Sequence, residues 1–339
     1  MRTSSNSSRH SIACALAAAL ALAACHRAAL SSGHGPTRTA DGAARLPDFP
    51  DASYWTTSGP GADLPLISAH RGRPELPHYP ENVLESIQRL HVAGDFSAEV
   101  DVQRSADGVL FLFHDWDLAR LTVHEGDPGA RTWADLDTMR VRDPEGRLSP
   151  YTIPSLEEVL AFAKGRLLLS LDRKGSTTYR QLYRLVAEED MLDQVSLILY
   201  DDEDLGAYRE LPARCPMNVT ADTVLTVRAM SAACGEWHAA EPCPVNLFLG
   251  VGAASDALLG AVERAGLRSI LGTFGELDTD ARDDGGATYL RLVGRGVSVI
   301  ATDVPLLAAR AVYAPADETA DTSFGESPTA PPENRLPPK

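Results

Sequence analysis

The sequence predicts an α/β protein built as a single (β/α)8 barrel of the TIM type. Short apolar runs of strand-like composition alternate with helix-period patterns, which favours a parallel sheet covered by helices. These runs lie within residues 62–313, and a barrel of this type needs roughly 250 residues. Polar side chains follow several of the predicted strands, and in a barrel the carboxyl ends of the strands form one rim.

Nine runs are candidates for the eight strands of the barrel. They are residues 64–69, 96–102, 109–113, 167–171, 195–199, 217–220, 246–251, 269–271 and 297–301. We expect either 217–220 or 246–251 to be the insertion, and the pattern does not decide between them.

Helix-period patterns lie between the strands. Asn82 followed by Glu85, and Ser155 followed by Glu158, predict two capping boxes at helix starts. The first helix would bury Val83, Ile87 and Leu90. Further helices are predicted over 156–163, 179–189, 256–265 and 289–293.

The first 24 residues have the features of an export signal. Arg2 and Arg9 precede an apolar run, residues 12–22, which is shorter than the about 20 residues needed to span a bilayer. The run ends in Leu-Ala-Ala-Cys, which resembles the lipobox of bacterial lipoproteins. We therefore expect residues 1–24 to be a signal peptide and Cys25 to carry lipid, anchoring an exported protein of the bacterial cell envelope that faces the periplasm. The alternative is an ordinary signal cleaved near Ala24.

The segments flanking the barrel have compositions typical of unstructured chain. Residues 25–61 are rich in Ala, Ser, Gly and Pro and predict a flexible tether, and 314–339 predict a disordered tail. The net charge of −16 argues against a nucleic-acid partner. It permits a phosphate substrate, because a bound metal ion reverses the local field. The oligomeric state is left open.

Three cysteines remain once the signal peptide and the lipidated residue are set aside: Cys215, Cys234 and Cys243. An odd number allows at most one intramolecular disulfide in an oxidising compartment. The spacing does not match a zinc site. We expect one local disulfide in an insertion, with the pairing undecided.

Glu99 and Asp101 lie two residues apart in a predicted strand, so both side chains are on the same face. Inside a barrel two like charges require neutralisation, and carboxylates suit Mg²⁺ or Ca²⁺. Asp172, at the end of another strand, is a plausible third ligand. The alternative, a pair of surface acids on an edge strand, fits poorly with the apolar residues around them.

Two histidines and two cationic residues also follow predicted strands. His70 and His114 are candidates for acid–base catalysis, since imidazole titrates near neutrality. Arg71 is a candidate phosphate ligand; the alternative is a rim ion pair with Glu81. Lys174 is a candidate for stabilising negative charge on phosphorus; the alternative is a solvated loop lysine.

The combined motifs resemble the glycerophosphodiester phosphodiesterase family. The motifs, in order, are His70-Arg71-Gly72, Pro80-Glu81-Asn82, Glu99-x-Asp101-Val102, Asp107-Gly108, and His114-Asp115 with Leu118 and Arg120. Residues 153–160, 171–174 and 301–305 are similar to later blocks of the family. The resemblance covers about residues 64–310 and is weakest between 200 and 290.

This resemblance implies a barrel of the PLC-like phosphodiesterase type that splits glycerophosphodiesters into glycerol 3-phosphate and an alcohol. It implies one divalent ion, Ca²⁺ or Mg²⁺, held by Glu99, Asp101 and Asp172. His70 and His114 would be the acid–base pair. The glycerol 2-hydroxyl would attack phosphorus, and water would then open the resulting cyclic phosphate.

Three features depart from the family pattern. Asp172 stands where the family more often has Glu, and Arg73 replaces a common Gly before the loop 74–78. Gly272-Thr273-Phe274 replaces a Trp-Thr-Val-Asn block, so we expect Phe274 to supply an apolar wall for glycerol.

Two alternative functions remain. In the first, the barrel cleaves another lipid-derived phosphodiester, and Leu76, Tyr79 and Trp116 are the candidates for an apolar patch at its rim. In the second, the protein is a catalytically inactive barrel lipoprotein that serves as a binding module. The retained histidines and acids count against that possibility, because an unused carboxylate cluster is costly to keep.

Overall fold

A computed structural model of the protein describes residues 65–212, 215–237 and 245–313. It also describes a short antiparallel pairing of Thr37–Arg38 with Ala44–Arg45, which falls inside the predicted tether. That pairing belongs to one compact unit, Met1–Asp48, and the remainder belongs to a second, Phe49–Lys339. The predicted signal peptide, Cys25 and the predicted tail lie outside the described residues.

The second unit alternates strands and helices. The strands are β1 Leu66–Ala69, β2 Ser97–Arg104, β3 Leu110–Leu112, β4 Arg140–Arg142, β5 Leu148–Thr152, β6 Leu168–Arg173, β7 Val195–Leu199, β8 Met217–Thr220, β9 Val245–Val251, β10 Arg268–Gly272 and β11 Val299–Thr302. The helices are α1 Leu84–Ala93, α2 Trp133–Leu136, α3 Leu156–Ala163, α4 Tyr179–Glu188, α5 Asp202–Arg209, α6 Val224–Trp237, α7 Asp256–Arg264, α8 Glu276–Asp283, α9 Ala287–Gly294 and α10 Pro305–Tyr313.

Eight parallel strands close into a barrel in the order β1-β2-β6-β7-β8-β9-β10-β11, and β11 pairs back onto β1. The predicted (β/α)8 fold is confirmed. An apolar layer that includes Leu66, Leu168 and Val299 fills the barrel near the amino ends of its strands. The predicted acids and His70 lie toward the opposite, carboxyl end of the strands.

The prediction that one of the two late runs is an insertion was wrong. Both β8 and β9 are barrel strands, each paired in parallel with its neighbours. The run outside the barrel is β3, which pairs antiparallel with β2. Only residues 105–109 separate β2 from β3, whereas a parallel neighbour requires a crossover of about a dozen residues.

The two predicted capping boxes have different outcomes. Ser155 and Glu158 form the reciprocal box at the start of α3, as predicted. Asn82 does not cap α1, because the N-cap position is Val83 and no side chain caps it. Asn82 instead adopts a left-handed conformation (φ 55°) and turns its amide toward the buried Asp101. Val83, Ile87 and Leu90 are buried as expected.

Among the helices within the described ranges, five were not predicted: α2, α5, α6, α8 and α10. Three of these helices, α5, α6 and α8, lie between residues 200 and 290, where the family resemblance is weakest. None of the helices that the structure describes is long and apolar enough to cross a membrane.

Of the three late cysteines, the structure describes the side chain of Cys215 alone. Cys215 is buried and its thiol is free. It is therefore not part of the predicted disulfide, and Cys234 and Cys243 have side chains outside the described residues. Burial raises the pKa of the Cys215 thiol to about 12.

Candidate active site

The three predicted acids lie together at the carboxyl end of the barrel. Glu99 and Asp101 are on β2, and Asp172 is on the adjacent strand β6, in register with Asp101. One carboxylate oxygen from each lies within 4.8 Å of the others, and Asp101 and Asp172 are buried. The alternative of surface acids on an edge strand is therefore excluded by the geometry.

Each of these carboxylates has one oxygen held by a hydrogen bond from outside the cluster. The donors are the backbone N–H of Arg71 to Glu99 Oε2 (2.9 Å), the Asn82 amide to Asp101 Oδ2 (2.8 Å) and the Tyr200 hydroxyl to Asp172 Oδ2 (2.6 Å). Such outer contacts orient carboxylates that share a ligand. They leave Glu99 Oε1, Asp101 Oδ1 and Asp172 Oδ1 outside these bonds.

Lys174 lies within this cluster rather than in solvent. Its Nζ is 2.6 Å from Asp172 Oδ2 and 3.3 Å from Asp101 Oδ1. Burial would lower the pKa of Lys174, but the charges of Asp172 and Asp101 outweigh it and raise the pKa, so the side chain stays an ammonium. The solvated-loop alternative does not describe this residue.

One ammonium does not balance three carboxylates. Burial, and then repulsion from Asp101 and Asp172, raises the pKa of Glu99 well above its ordinary value. Burial likewise raises the pKa of Asp172 despite the opposing effect of Lys174. Asp172 Oδ1 is buried and has no hydrogen-bond partner among the residues that the structure describes. An all-oxygen cluster with surplus negative charge and an orphaned oxygen fits a hard divalent cation.

His70 follows β1 directly and is held on two sides. Its Nδ1 is 2.8 Å from Asp303 Oδ1, and its ring stacks on Phe274 with centroids 4.3 Å apart. Burial would raise the pKa of Asp303, but the hydrogen bond and charge of His70, together with Arg73, lower it. An ionised carboxylate only accepts, so Nδ1 carries the proton and Nε2 of a neutral ring carries the lone pair.

His114 reaches the same end of the barrel by a different route from the one predicted. It follows β3, which is not a barrel strand. The N–H of Phe113 donates to the Asp101 carbonyl (3.0 Å), and the Gln103 side chain donates to the carbonyls of Phe113 and Asp115. These bonds fix residue 114 beside β2. His114 Nδ1 is 2.7 Å from Asp115 Oδ1, so this ring is also oriented by a carboxylate.

Arg71 adopts the ion pair that was considered as the alternative to phosphate binding. Its Nη1 donates to Glu81 Oε1 (2.9 Å), and its Nε is 3.9 Å from Asp101 Oδ2. Arg120 donates to Glu81 and Asp115 as well. Arg120 therefore connects Glu81, the partner of Arg71, with Asp115, the partner of His114.

The loop 73–78, where the sequence departs from the family pattern, is tied down at several points. Arg73 Nη2 is 3.8 Å from Asp303 Oδ1, and Arg282 forms an ion pair with Glu75 at 3.0 Å. At its end, His78 belongs to a second acidic cluster with Asp143 and Glu145.

The guanidinium of Arg147 contacts all three members of that second cluster, at 2.9, 2.9 and 2.6 Å. A cation therefore already occupies this cluster. The sequence did not place His78 in the active site, and this contact accounts for the grouping of His78, Asp143 and Glu145 without a metal.

The residues that sequence reasoning missed are those that orient the site. Tyr200 follows β7 directly at the rim, and that position was its only available signal. Asn82 was assigned to a helix cap. Asp115 and Asp303 lie in segments that resemble the family, but the sequence predicts no role for them, because their contact with a histidine depends on the tertiary fold.

Comparison with known proteins gives a consistent result. A family model described as the glycerophosphoryl diester phosphodiesterase family matches residues 70–275. Glycerophosphodiester phosphodiesterase GDPD4 of Arabidopsis thaliana is 37% identical over 101 residues, which is 29% of this chain and 30% of that protein. Glycerophosphodiester phosphodiesterase domain-containing protein 5 of Gallus gallus is 37% identical over 95 residues, 26% of this chain and 16% of its own. The chain thus spans less than a third of either relative.

Solved structures share the fold. A glycerophosphoryl diester phosphodiesterase from Parabacteroides distasonis superposes with a TM-score of 0.65 at 24% identity, over 77% of this chain and 90% of that one. An Oleispira antarctica phosphodiesterase in complex with sn-glycerol-3-phosphate has a TM-score of 0.57 at 20% identity, over 75% and 99%. The family match covers more than half of the chain and includes the acids and both histidines. The chain therefore belongs to the glycerophosphoryl diester phosphodiesterase family.

Proposed function

We propose that the protein hydrolyses glycerophosphodiesters to glycerol 3-phosphate and an alcohol, with one divalent cation, by acid–base catalysis from two histidines. The observation that carries the proposal is the meeting of His70, His114 and three clustered carboxylates at one end of the barrel. Family membership and the named activities of the relatives support it.

Glu99, Asp101 and Asp172 would hold the cation. When bound, it would supply Lewis-acid stabilisation of charge on the phosphate and lower the pKa of the attacking hydroxyl. Lys174 would stabilise negative charge on the phosphate, and its contact with Asp172 beside the same cluster supports this role.

The two histidines would move the protons. Each ring has Nδ1 on a carboxylate, so Nε2 is the atom that exchanges protons. In the first step the glycerol 2-hydroxyl gives its proton to one imidazole, its oxygen bonds to phosphorus, and the P–O bond to the alcohol breaks. The leaving oxygen takes a proton from the other, protonated imidazole. Water then opens the cyclic phosphate with the two roles reversed, which restores both rings.

Phe274 would form the apolar wall for the glycerol carbons. Its ring stacks on His70, so a glycerol lying against Phe274 would also be next to an acid–base group. Arg71 would assist phosphate binding through its remaining donors, because the hydrogen bond to Glu81 engages Nη1 alone.

The alternative lipid-derived substrate calls for a broad apolar rim. Of its three candidate residues Trp116 is 67% exposed, whereas Leu76 is half-buried and Tyr79 is half-buried and stacks on Tyr151. The three residues expected to form the patch are therefore not exposed together, which supports a small head group. The intact carboxylate cluster argues against an inactive barrel.

The test is release of glycerol 3-phosphate from glycerophosphocholine by the purified chain, with and without a chelator. We expect release that stops with the chelator and returns with Mg²⁺ or Ca²⁺. No release with either metal would overturn the proposal. Release that is unaffected by the chelator would support the hydrolysis but contradict the need for a divalent cation.

We also propose that the protein is exported and anchored to a membrane by lipid on Cys25. The lipobox-like 22–25 segment supports this. Expression in a bacterial host followed by membrane fractionation tests it. Membrane association that is lost in Cys25→Ser is the expected result, and an equal distribution of the two chains would contradict it.

A further inference from the structure

We propose that Tyr200 is a positioning residue of the carboxylate cluster, which orients Asp172 so that its buried Oδ1 faces a divalent cation. The proposal rests on the cation site of the proposed function. Its basis is the hydrogen bond from the Tyr200 hydroxyl to Asp172 Oδ2, at 2.6 Å.

The two oxygens of Asp172 have very different surroundings. Oδ2 accepts from both Tyr200 and Lys174, each at 2.6 Å. Oδ1 is buried and has no hydrogen-bond partner within the described part of the chain. A buried carboxylate oxygen without a donor is costly. Two donors on the opposite oxygen keep the carboxylate from turning to relieve that cost.

Lys174 alone cannot fix this orientation. Its ammonium also contacts Asp101 Oδ1, at 3.3 Å, and its side chain is long and flexible. The phenol of Tyr200 is rigid, and its hydroxyl bonds Asp172 alone among the described contacts. Tyr200 therefore defines the direction of one ligand, whereas Lys174 is shared between two.

Tyr200 is itself held by a partly buried ion pair that leads back to β6. Its backbone N–H donates to Asp204 Oδ2 (2.9 Å), and Asp204 Oδ1 accepts from Arg173 Nη2 (2.9 Å). Arg173 is the residue after Asp172. The segment that carries Tyr200 is thus linked, through Asp204 and Arg173, to β6, the strand that carries Asp172.

The position of Tyr200 makes the inference testable. The residue is 49% exposed, so removing its hydroxyl leaves the packing of the ring largely unchanged. Loss of an outer-sphere partner typically costs 10–100-fold in metal affinity. We expect Tyr200→Phe to weaken binding of Ca²⁺ and Mg²⁺ by about 10-fold, with little change in the melting temperature of the metal-free chain.

The experiment is a calorimetric titration of the full chain with each metal alone, comparing the native protein with Tyr200→Phe, Asp172→Asn and Tyr208→Phe. Tyr208 is the matched control, because its hydroxyl donates to the backbone carbonyl of Cys215 instead of a carboxylate. Weaker binding in Tyr200→Phe and Asp172→Asn, with Tyr208→Phe near native, is the expected result.

The other outcomes are decisive in different ways. If Asp172→Asn weakens binding and Tyr200→Phe stays within twofold of native, Tyr200 does not position the ligand and the inference alone fails. If the native chain binds neither metal, both the inference and the cation of the proposed function fail. If Tyr200→Phe lowers the melting temperature of the metal-free chain but not its affinity, Tyr200 is structural and the inference is wrong.

Discussion

Asn82 and Asp101 hold each other by two hydrogen bonds. The Asn82 amide nitrogen donates to Asp101 Oδ2 at 2.8 Å, and the Asp101 backbone N–H donates to the Asn82 side-chain oxygen at 3.0 Å. Both residues are buried. The loop before α1 is thereby fastened to the strand that carries two of the acids.

Removing this pair of bonds should destabilise the fold. Asn82→Ala leaves a buried carboxylate oxygen and a buried backbone N–H without their partner, each worth about 1–3 kcal/mol. We expect a loss of ~2 kcal/mol or more in the free energy of unfolding, measured by urea denaturation. Gln88→Ala, on the partly buried middle of α1, is the control and should change little. Equal stability of the two variants would show that the pair is energetically silent.

His114 should be needed for turnover but not for folding. Loss of a general acid or base lowers kcat by typically 10²–10⁴-fold. We expect His114→Ala to lower kcat by about 10²-fold or more with a nearly unchanged melting temperature. His124→Ala is the matched control, since His124 is exposed and belongs to neither acidic cluster. Near-native turnover of His114→Ala would remove it from the acid–base pair.

A divalent cation should stabilise the chain through the acid cluster. Binding at about 100 times Kd adds about 2.7 kcal/mol. We expect Mg²⁺ or Ca²⁺ to raise the melting temperature of the native chain but not of Glu99→Ala. Glu145→Ala, in the cluster that Arg147 already occupies, should keep the full response. If the metal no longer raised the melting temperature of Glu145→Ala, the second cluster would instead be the cation site.

Glu81 should make the stability depend on pH. Burial would raise its pKa, but Arg120 and Arg71 outweigh burial and lower the pKa below its ordinary 4.5. The folded pKa lies below the unfolded one, so the stabilisation is present above about pH 4.5 and is lost as pH falls through the folded value. Glu81→Gln should therefore melt lower than native near pH 7, and the gap should narrow below pH 4.5. A gap independent of pH would contradict the charge as its cause.

Cys215 should resist alkylation in the folded chain. With a thiol pKa of about 12 and a buried side chain, almost no thiolate is present at pH 8. Iodoacetamide followed by peptide mass spectrometry should find Cys215 unmodified natively and modified in guanidinium. The exposed His124→Cys variant serves as the reactive reference. Rapid native labelling of Cys215 would mean that this region opens readily.

The fold class and the candidate catalytic and metal-binding residues can be predicted from the sequence, because the patterns that indicate them lie within short segments of the chain. Alternation of strand and helix patterns predicts the barrel, and period two on β2 places Glu99 and Asp101 on one face whatever the neighbours are. The run 109–113 has no comparable signal, because the pattern of a strand does not show whether it pairs parallel or antiparallel with its neighbour. Its antiparallel pairing follows from the short connection to β2.

The sequence by itself determined the barrel, the three acids, the two histidines and Lys174 as candidates, because strand ends in a parallel barrel converge on one rim. Only the tertiary structure decided what orients them: Asn82 on Asp101, Tyr200 on Asp172, and Asp303 on His70. Two of these pairs join residues 28 and 233 positions apart. Contacts over such separations are set by packing of the closed barrel, which no local pattern encodes.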